Sequence, residues 1–254
     1  MVAHSNPNKQ IMKTSNTQKI TLYCLPFAGG HSLSYREFQA NVAETILIKP
    51  LELPGRGKRI KEPLLTNLET MVDDLFLQIE NELTEKPYAI YGHSMGTLLG
   101  YLLTKRILNA NKPAPLHLFV SGRNAPSVIK NSIPRHKLPK QEFLNYLNEL
   151  GGLQQEILEC TELMDFLEPI LRADFQAIET YTYQQSSPFE IPISILYGLE
   201  DKELSSQDLL AWQQESSQPI TIKSFPGGHF FIFEHLPHLG QVFSKTLILN
   251  QKKS

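Results

Sequence analysis

The sequence has 254 residues, of which 41% are hydrophobic and 20% are charged, a composition typical of folded globular proteins and not of disordered chains. Lysine and arginine (24 residues) nearly balance aspartate and glutamate (26 residues), and the resulting net charge of −2 gives no electrostatic basis for binding nucleic acid or an anionic membrane. Because the chain has no apolar run of transmembrane length and begins without the apolar core of a signal peptide, we expect a cytoplasmic protein that does not enter membranes.

Through most of the chain, short apolar runs alternate with longer amphipathic runs, which is the pattern of successive β–α units. The predicted strands are Ile20–Leu25, Ile46–Leu51, Tyr88–Tyr91, Leu116–Val120, Ile193–Tyr197 and Pro219–Phe225. The predicted helices are Tyr35–Ala43, Leu68–Leu83, Thr97–Leu108, Gln207–Gln214 and Leu239–Leu249. This order predicts an α/β protein with a mostly parallel central sheet and helices on both faces. We expect residues 1–18 to form a disordered tail and residues 19–254 to form a single domain.

The region from about residue 137 to residue 183 interrupts this alternation. Its apolar residues recur at helical spacing and it contains no strand pattern. Pro169 is expected to start or kink a helix there. A helical insertion at this point predicts a lid over the carboxyl edge of the sheet, where open α/β sheets bind their ligands.

The sequence Gly92-His93-Ser94-Met95-Gly96 lies between a predicted strand and a predicted helix. This is the context of a nucleophile elbow, the sharp turn that exposes a catalytic serine at the top of an α/β-hydrolase sheet. The glycines leave space on either side of the serine that larger side chains would fill. We therefore predict Ser94 as the nucleophile, with an ordinary strand–helix turn as the alternative.

A serine hydroxyl becomes an effective nucleophile only when a base accepts its proton. In this fold the order along the chain is serine, acid, histidine. His229 lies in a Gly-Gly-His loop directly after the last predicted strand, and we predict it as the base. Asp201 follows the strand that ends in ILYG, and we predict that it orients the histidine, with the adjacent Glu200 as second choice. The loop after Leu116–Val120, the other common place for the acid, contains no carboxylate.

Acyl transfer passes through an oxyanion that backbone N–H groups must stabilise. Met95, at the start of the helix after the nucleophile, is predicted to supply one N–H group. The second is expected from Ala28 or Phe27, in the loop after the first strand.

We expect neither a cofactor nor a metal. A metal site formed by His229, His235 and His238 is an alternative, but their spacing places no pair four residues apart on one helix face. The two cysteines, Cys24 in a predicted strand and Cys160 in a helical stretch, are too few and too far apart for a disulfide framework, and they fit a reducing compartment.

Eight motifs occur in order between about Leu22 and His235: LPFAGG, LELPGRGKR, YGHSMG, SGRNAP, LPKQEFLNYLNELGG, LRADFQAIETYTY, ILYGLED and FPGGHFFIFE. In these motifs the chain resembles the stand-alone type II thioesterases that accompany nonribosomal peptide and polyketide synthases, a family with the α/β-hydrolase fold. The resemblance implies hydrolysis of acyl or aminoacyl thioesters from the phosphopantetheine arm of carrier domains, an editing reaction in secondary-metabolite biosynthesis. It also implies that the helices of Leu138–Tyr183 form a mobile lid.

Carried over by position, the resemblance implies Ser94, Asp201 and His229 as the catalytic triad and Met95 with Ala28 as the oxyanion pair. We therefore predict a monomeric thioesterase whose partners are acyl or peptidyl carrier domains. Two other functions stay open: a general carboxylester hydrolase, because the same triad cleaves esters, amides and thioesters, and a non-catalytic binding protein of the same shape.

A cluster of basic residues follows the second predicted strand: Arg56, Lys58, Arg59 and Lys61. One interpretation is a docking surface for an acidic carrier domain. The other, which we favour, is that Arg56 braces the Pro-Gly-Arg-Gly loop while its neighbours form a solvated face.

Overall fold

The computed structural model describes residues 18–84, 86–128, 133–153 and 155–251. Within these residues, six strands form one sheet in the order β2-β1-β3-β4-β5-β6, and every neighbouring pair is parallel. The strands are β1 (Ile20–Leu25), β2 (Ile46–Pro50), β3 (Tyr88–His93), β4 (Leu118–Ser121), β5 (Ile193–Gly198) and β6 (Thr221–Phe225). The predicted α/β fold is confirmed. The predicted tail, apart from Gln18, lies outside the described residues.

Helices cover both faces of the sheet. They are α1 (Leu68–Ile79), α2 (Met95–Asn109), α3 (Lys140–Leu150), α4 (Gln155–Glu159), α5 (Thr161–Thr180), α6 (Ser206–Leu210), α7 (Phe231–Glu234) and α8 (Leu236–Gln251). Successive strand residues point to opposite faces, so in β1 Tyr23 and Leu25 pack with α1 and α2, whereas Leu22 and Cys24 pack with α7 and α8. The strands are therefore buried on both sides, which explains their nearly continuous apolar sequences.

The predicted helix Tyr35–Ala43 is wrong. The chain forms two short 3₁₀ turns there, Ser32–Tyr35 and Phe38–Asn41. The buried rings of Tyr35 and Phe38 each lie 6.0 Å from the ring of Tyr91, so packing on the sheet holds the segment without a continuous helix. The predicted strand at Pro219 begins only at Thr221.

Between β4 and β5 the described residues form a 3₁₀ turn at Arg135–Lys137, followed by α3, α4 and α5, and then an irregular segment that leads to β5. These helices, called the lid below, share an apolar cluster of their own, formed by Phe143, Leu147, Met164, Leu171 and Phe175. Pro169 lies inside α5 and does not start it. Cys160 lies between α4 and α5 and not within a helix.

Candidate active site

A strained turn at Ser94 joins β3 to α2. The φ and ψ angles of Ser94 are 53° and −115°, a backbone conformation that non-glycine residues rarely adopt. A Cβ atom at Gly92 would lie 1.9 Å from the carbonyl oxygen of Gly96, and one at Gly96 would lie 2.7 Å from that of Leu25. Both glycines of the motif are therefore required by close backbone contacts. The turn places the serine hydroxyl at the carboxyl edge of the sheet.

Ser94, His229 and Asp201 form a continuous hydrogen-bonded line. The Nε2 atom of His229 lies 3.0 Å from Ser94 Oγ, and its Nδ1 atom lies 2.7 Å from Asp201 Oδ2. Because the carboxylate can only accept, Nδ1–H donates to it and Nε2 is left to accept the serine proton. The histidine and aspartate side chains are only 6% and 1% exposed, so water hardly competes for this hydrogen bond.

Close contact between two loops brings the acid to the histidine. A Cβ atom at Gly198, the last residue of β5, would lie 2.2 Å from the carbonyl oxygen of Gly228, so the loops after β5 and β6 pack backbone against backbone. The second oxygen of Asp201, Oδ1, accepts the backbone N–H of Glu203 at 3.0 Å. The alternative acid, Glu200, is exposed.

A second histidine, His93, packs against the ring of His229. This supporting role was not predicted from the sequence. The ring centroid of His93 is 5.0 Å from that of His229, and its Nδ1 atom is 2.9 Å from Ser121 Oγ. Complete burial, together with repulsion from His229, holds the pKa of His93 well below its ordinary value. The ring therefore stays neutral and acts as a support. The only sequence signal for this role was its position beside Ser94.

The backbone N–H groups of Met95, Ala28 and Phe27, all near Ser94, have no backbone acceptor within the described parts of the chain. Met95 is the first residue of α2, where free N–H groups and the helix dipole favour negative charge. Ala28 lies in a turn over residues Phe27–Gly30, closed by a 2.8 Å hydrogen bond from Gly30 N–H to the carbonyl of Phe27. This turn is called the oxyanion loop below. The assignment of Met95 and of either Ala28 or Phe27 as the oxyanion donors stays a prediction.

A cavity of about 780 Å³ opens onto Ser94, His229 and the oxyanion loop. This volume lies in the range of small-molecule sites. The lid and α2 give it mainly apolar walls, which include Leu98, Leu147, Leu171, Phe175 and Ile178.

The loop after β4 adds polar residues to the cavity wall. Burial lowers the pKa of Arg123 to about 10, while the carboxylates of Glu179 and Glu203 act on it in the opposite direction. Among the described residues, no carboxylate forms an ion pair with the Arg123 guanidinium. The side-chain oxygen of the adjacent Asn124 is buried and has no hydrogen-bond partner among the residues that the structure describes. The Arg123 guanidinium and the Asn124 oxygen are therefore available to a polar group of a ligand.

The basic cluster divides into buried and exposed members. Arg56 is buried and pairs with Asp174 of α5. Arg59 pairs with Asp74 at 2.6 Å and with Glu62 at 2.5 Å, so it is engaged in ion pairs and is not simply solvated. Lys58 and Lys61 are exposed. Arg56 thus braces the Pro-Gly-Arg-Gly loop, as we favoured.

The described residues contain no group of three or more histidine, cysteine or acidic side chains placed to hold a metal. Both ring nitrogens of His229 are engaged by Ser94 and Asp201, so the alternative metal site with His235 and His238 is not formed. In the described parts of the chain, no helix has the length and apolar character needed to cross a membrane.

Comparison with protein families matches residues 20–247 to the family described as the thioesterase domain. The chain belongs to the thioesterase family. This confirms the family resemblance inferred from the motifs, and it makes the protein a hydrolase that acts on thioesters.

The thioesterase is similar to proteins of several biosynthetic pathways. It is 34% identical over 92% of its length to the gramicidin S biosynthesis protein GrsT of Aneurinibacillus migulanus, of which it covers 91%. Its structure is similar to that of ClbQ from the colibactin NRPS/PKS pathway, with 31% identity, a TM-score of 0.88, and coverage of 93% of this chain and 100% of ClbQ. For the type II thioesterase BorB from the borrelidin biosynthetic cluster, the identity is 30%, the TM-score is 0.82, and the coverage is 90% of this chain and 93% of BorB.

Proposed function

We propose that this thioesterase is an editing enzyme that removes acyl or aminoacyl groups from the phosphopantetheine arm of carrier domains in a nonribosomal peptide or polyketide synthase. The observation that carries the proposal is the hydrogen-bonded line from Asp201 through His229 to Ser94, at a cavity large enough for an acyl group. Membership of the thioesterase family supports a thioester as the bond that is cleaved. The similarity to ClbQ, a protein of an NRPS/PKS pathway, supports a carrier domain as the substrate.

In the acylation half-reaction, Ser94 Oγ attacks the thioester carbonyl carbon while His229 Nε2 accepts the hydroxyl proton. The carbonyl oxygen becomes an oxyanion that accepts hydrogen bonds from the N–H groups of Met95 and Ala28. Asp201 stabilises the imidazolium that forms. Collapse of the intermediate breaks the C–S bond, and the pantetheine sulfur takes the proton from His229 and leaves as a thiol.

Deacylation repeats these steps with water. His229 removes a proton from a water molecule, whose oxygen attacks the acyl-serine carbonyl. Collapse returns the proton from His229 to Ser94 Oγ and releases the carboxylic acid.

Every proton and electron pair in this scheme is supplied by the triad, substrate or water, and we therefore propose that the enzyme needs no cofactor. The monomeric state and the cytoplasmic location stay predictions from the sequence.

The test is hydrolysis of acetyl, hexanoyl and aminoacyl groups loaded on a phosphopantetheinylated carrier domain. We expect release of the free acid by the wild type and loss of at least about 10³-fold in kcat in Ser94→Ala, whose fold is checked by thermal unfolding. A kcat/KM on simple esters well above that on carrier thioesters would instead favour a general carboxylester hydrolase. Failure of a fluorophosphonate to label Ser94 would favour a non-catalytic binding protein.

A further inference from the structure

A completely buried carboxylate joins the lid to the oxyanion loop. Asp174, in α5, is 0% exposed, and its Oδ2 atom accepts the backbone N–H of Gly29 at 2.8 Å. Both of its oxygens also accept from the guanidinium of Arg56, each at 2.7 Å, and the Arg56 side chain is only 3% exposed. One lid residue thus binds two separate loops at the carboxyl edge of the sheet.

The hydrogen bond from Gly29 N–H to Asp174 helps to fix the direction of the Ala28 N–H group. Gly29 follows Ala28, and its φ angle of 74° is one that residues with side chains rarely adopt. Its N–H lies in the same peptide plane as the carbonyl of Ala28, so the bond to Asp174 fixes the orientation of that plane. On the other side, the hydrogen bond from Gly30 N–H to Phe27 closes the turn. The Ala28 N–H is therefore held from both sides.

Stability alone does not account for this arrangement. A buried ion pair loses solvation in both partners, and well-packed apolar residues in its place are often equally stable. Apolar residues would, however, provide no acceptor for the Gly29 N–H. Leu171, one turn earlier in α5, already packs on the same loop, since a Cβ atom at Gly29 would lie 2.7 Å from its Cδ2 atom.

We propose that Asp174 is a positioning residue through which the lid helix α5 holds the oxyanion loop in its catalytic geometry, and that Arg56 keeps the Asp174 carboxylate oriented. This inference rests on the proposed function of Ser94 and of the Ala28 N–H. A displacement of α5 from the sheet would release Gly29, so hydrolysis requires α5 to stay docked. Entry of the substrate past the lid must then occur by movement of α3 and α4.

Two double variants separate positioning from folding. Arg56→Met/Asp174→Leu replaces the pair by apolar side chains and removes the acceptor for Gly29. Arg56→Gln/Asp174→Asn replaces it by two amides and keeps an oxygen that can accept the Gly29 N–H. The matched control is Asp165→Asn, which removes a carboxylate of the same helix that pairs with Lys140 at the surface.

We expect the apolar pair to lower kcat by about 10²–10³, the effect of losing one oxyanion donor, with KM changed less than about threefold. Affinity for a trifluoromethyl ketone, which forms a tetrahedral oxyanion adduct with the serine, should fall by a similar factor. The amide pair should lose less than about tenfold in kcat, and Asp165→Asn should match the wild type. A purely structural role would not alter kcat and inhibitor affinity together at constant KM.

The proposal is wrong if the apolar pair folds and keeps wild-type kcat, or if both double variants lose kcat equally. If the apolar pair fails to fold, Asp174→Glu gives the test, because it keeps the ion pair but displaces the carboxylate. An unchanged kcat in Asp174→Glu also contradicts the proposal. All variants are assayed on p-nitrophenyl acetate as well, whose hydrolysis needs the same oxyanion donors. A wild type that cleaves only this ester would contradict the carrier substrate while still testing Asp174.

Discussion

The carboxylate of Asp201 gives the sharpest test of the proposed triad. Its two oxygens accept different donors, Nδ1–H of His229 at 2.7 Å and the backbone N–H of Glu203 at 3.0 Å. In Asp201→Asn only one oxygen remains. If that oxygen faces Glu203, the amide N–H faces Nδ1 of the histidine, whose proton must then move to Nε2. The serine loses its proton acceptor.

The opposite orientation of the amide is also unfavourable. It places the side-chain NH₂ group, which is buried, against the partly buried N–H of Glu203, and leaving such donors without an acceptor costs about 1–3 kcal/mol. The first orientation therefore prevails. In serine proteases, the same exchange lowers kcat by about 10⁴, and we expect a loss of this order here, equivalent to roughly 5 kcal/mol in the activation free energy.

The assay is kcat on an acyl carrier domain for Asp201→Asn and for Glu200→Gln, the exposed neighbour that serves as a matched control. Thermal unfolding should show both variants folded, and the control should keep kcat within about twofold of the wild type. If Asp201→Asn retained more than about a tenth of the wild-type kcat, or if Glu200→Gln showed the larger loss, the assignment of the acid would be wrong.

Three further predictions concern the turn at the nucleophile, acid stability and the cavity. In urea titrations, Gly92→Ala should lower the free energy of unfolding by at least about 2 kcal/mol, because its Cβ would meet the backbone of Gly96. The control Gly228→Ala has open space around its Cβ and should change the free energy of unfolding by less than about 1 kcal/mol. Burial lowers the pKa of His117 to about 4, so the unfolded chain binds more protons between pH 6.5 and 4 and stability falls as the pH drops through this range. Between pH 7.5 and 5, His117 should lower the free energy of unfolding by about 2 kcal/mol. Urea titrations should show that His117→Gln removes this pH dependence, whereas His238→Gln, at an exposed position, does not. Arg123→Met should raise the kcat/KM ratio of hexanoyl over acetoacetyl carrier substrates at least about fivefold, since the guanidinium is available to acyl oxygens; an unchanged ratio would exclude this contact.

Local sequence patterns were sufficient for most of the secondary structure. Four of the six predicted strands begin at the observed residue, and the other two were predicted to begin two residues too early. The agreement arises because strands buried on both faces require nearly continuous apolar sequence. The helix predicted at Tyr35–Ala43 failed because its few apolar residues are held by packing on Tyr91 and not by a helical repeat.

The amino-acid sequence by itself determined the strained turn at Ser94, because the glycines it requires lie within two residues of the serine, and a Cβ atom at Gly92 would meet the backbone of Gly96. The order of serine, acid and histidine could likewise be predicted from the chain. Only the tertiary structure decided that Asp201 and not Glu200 faces His229, that His93 supports that ring, and that Arg56 meets Asp174, 118 residues away. A side chain's burial and charge partners depend on contacts between distant segments, and no local pattern contains them.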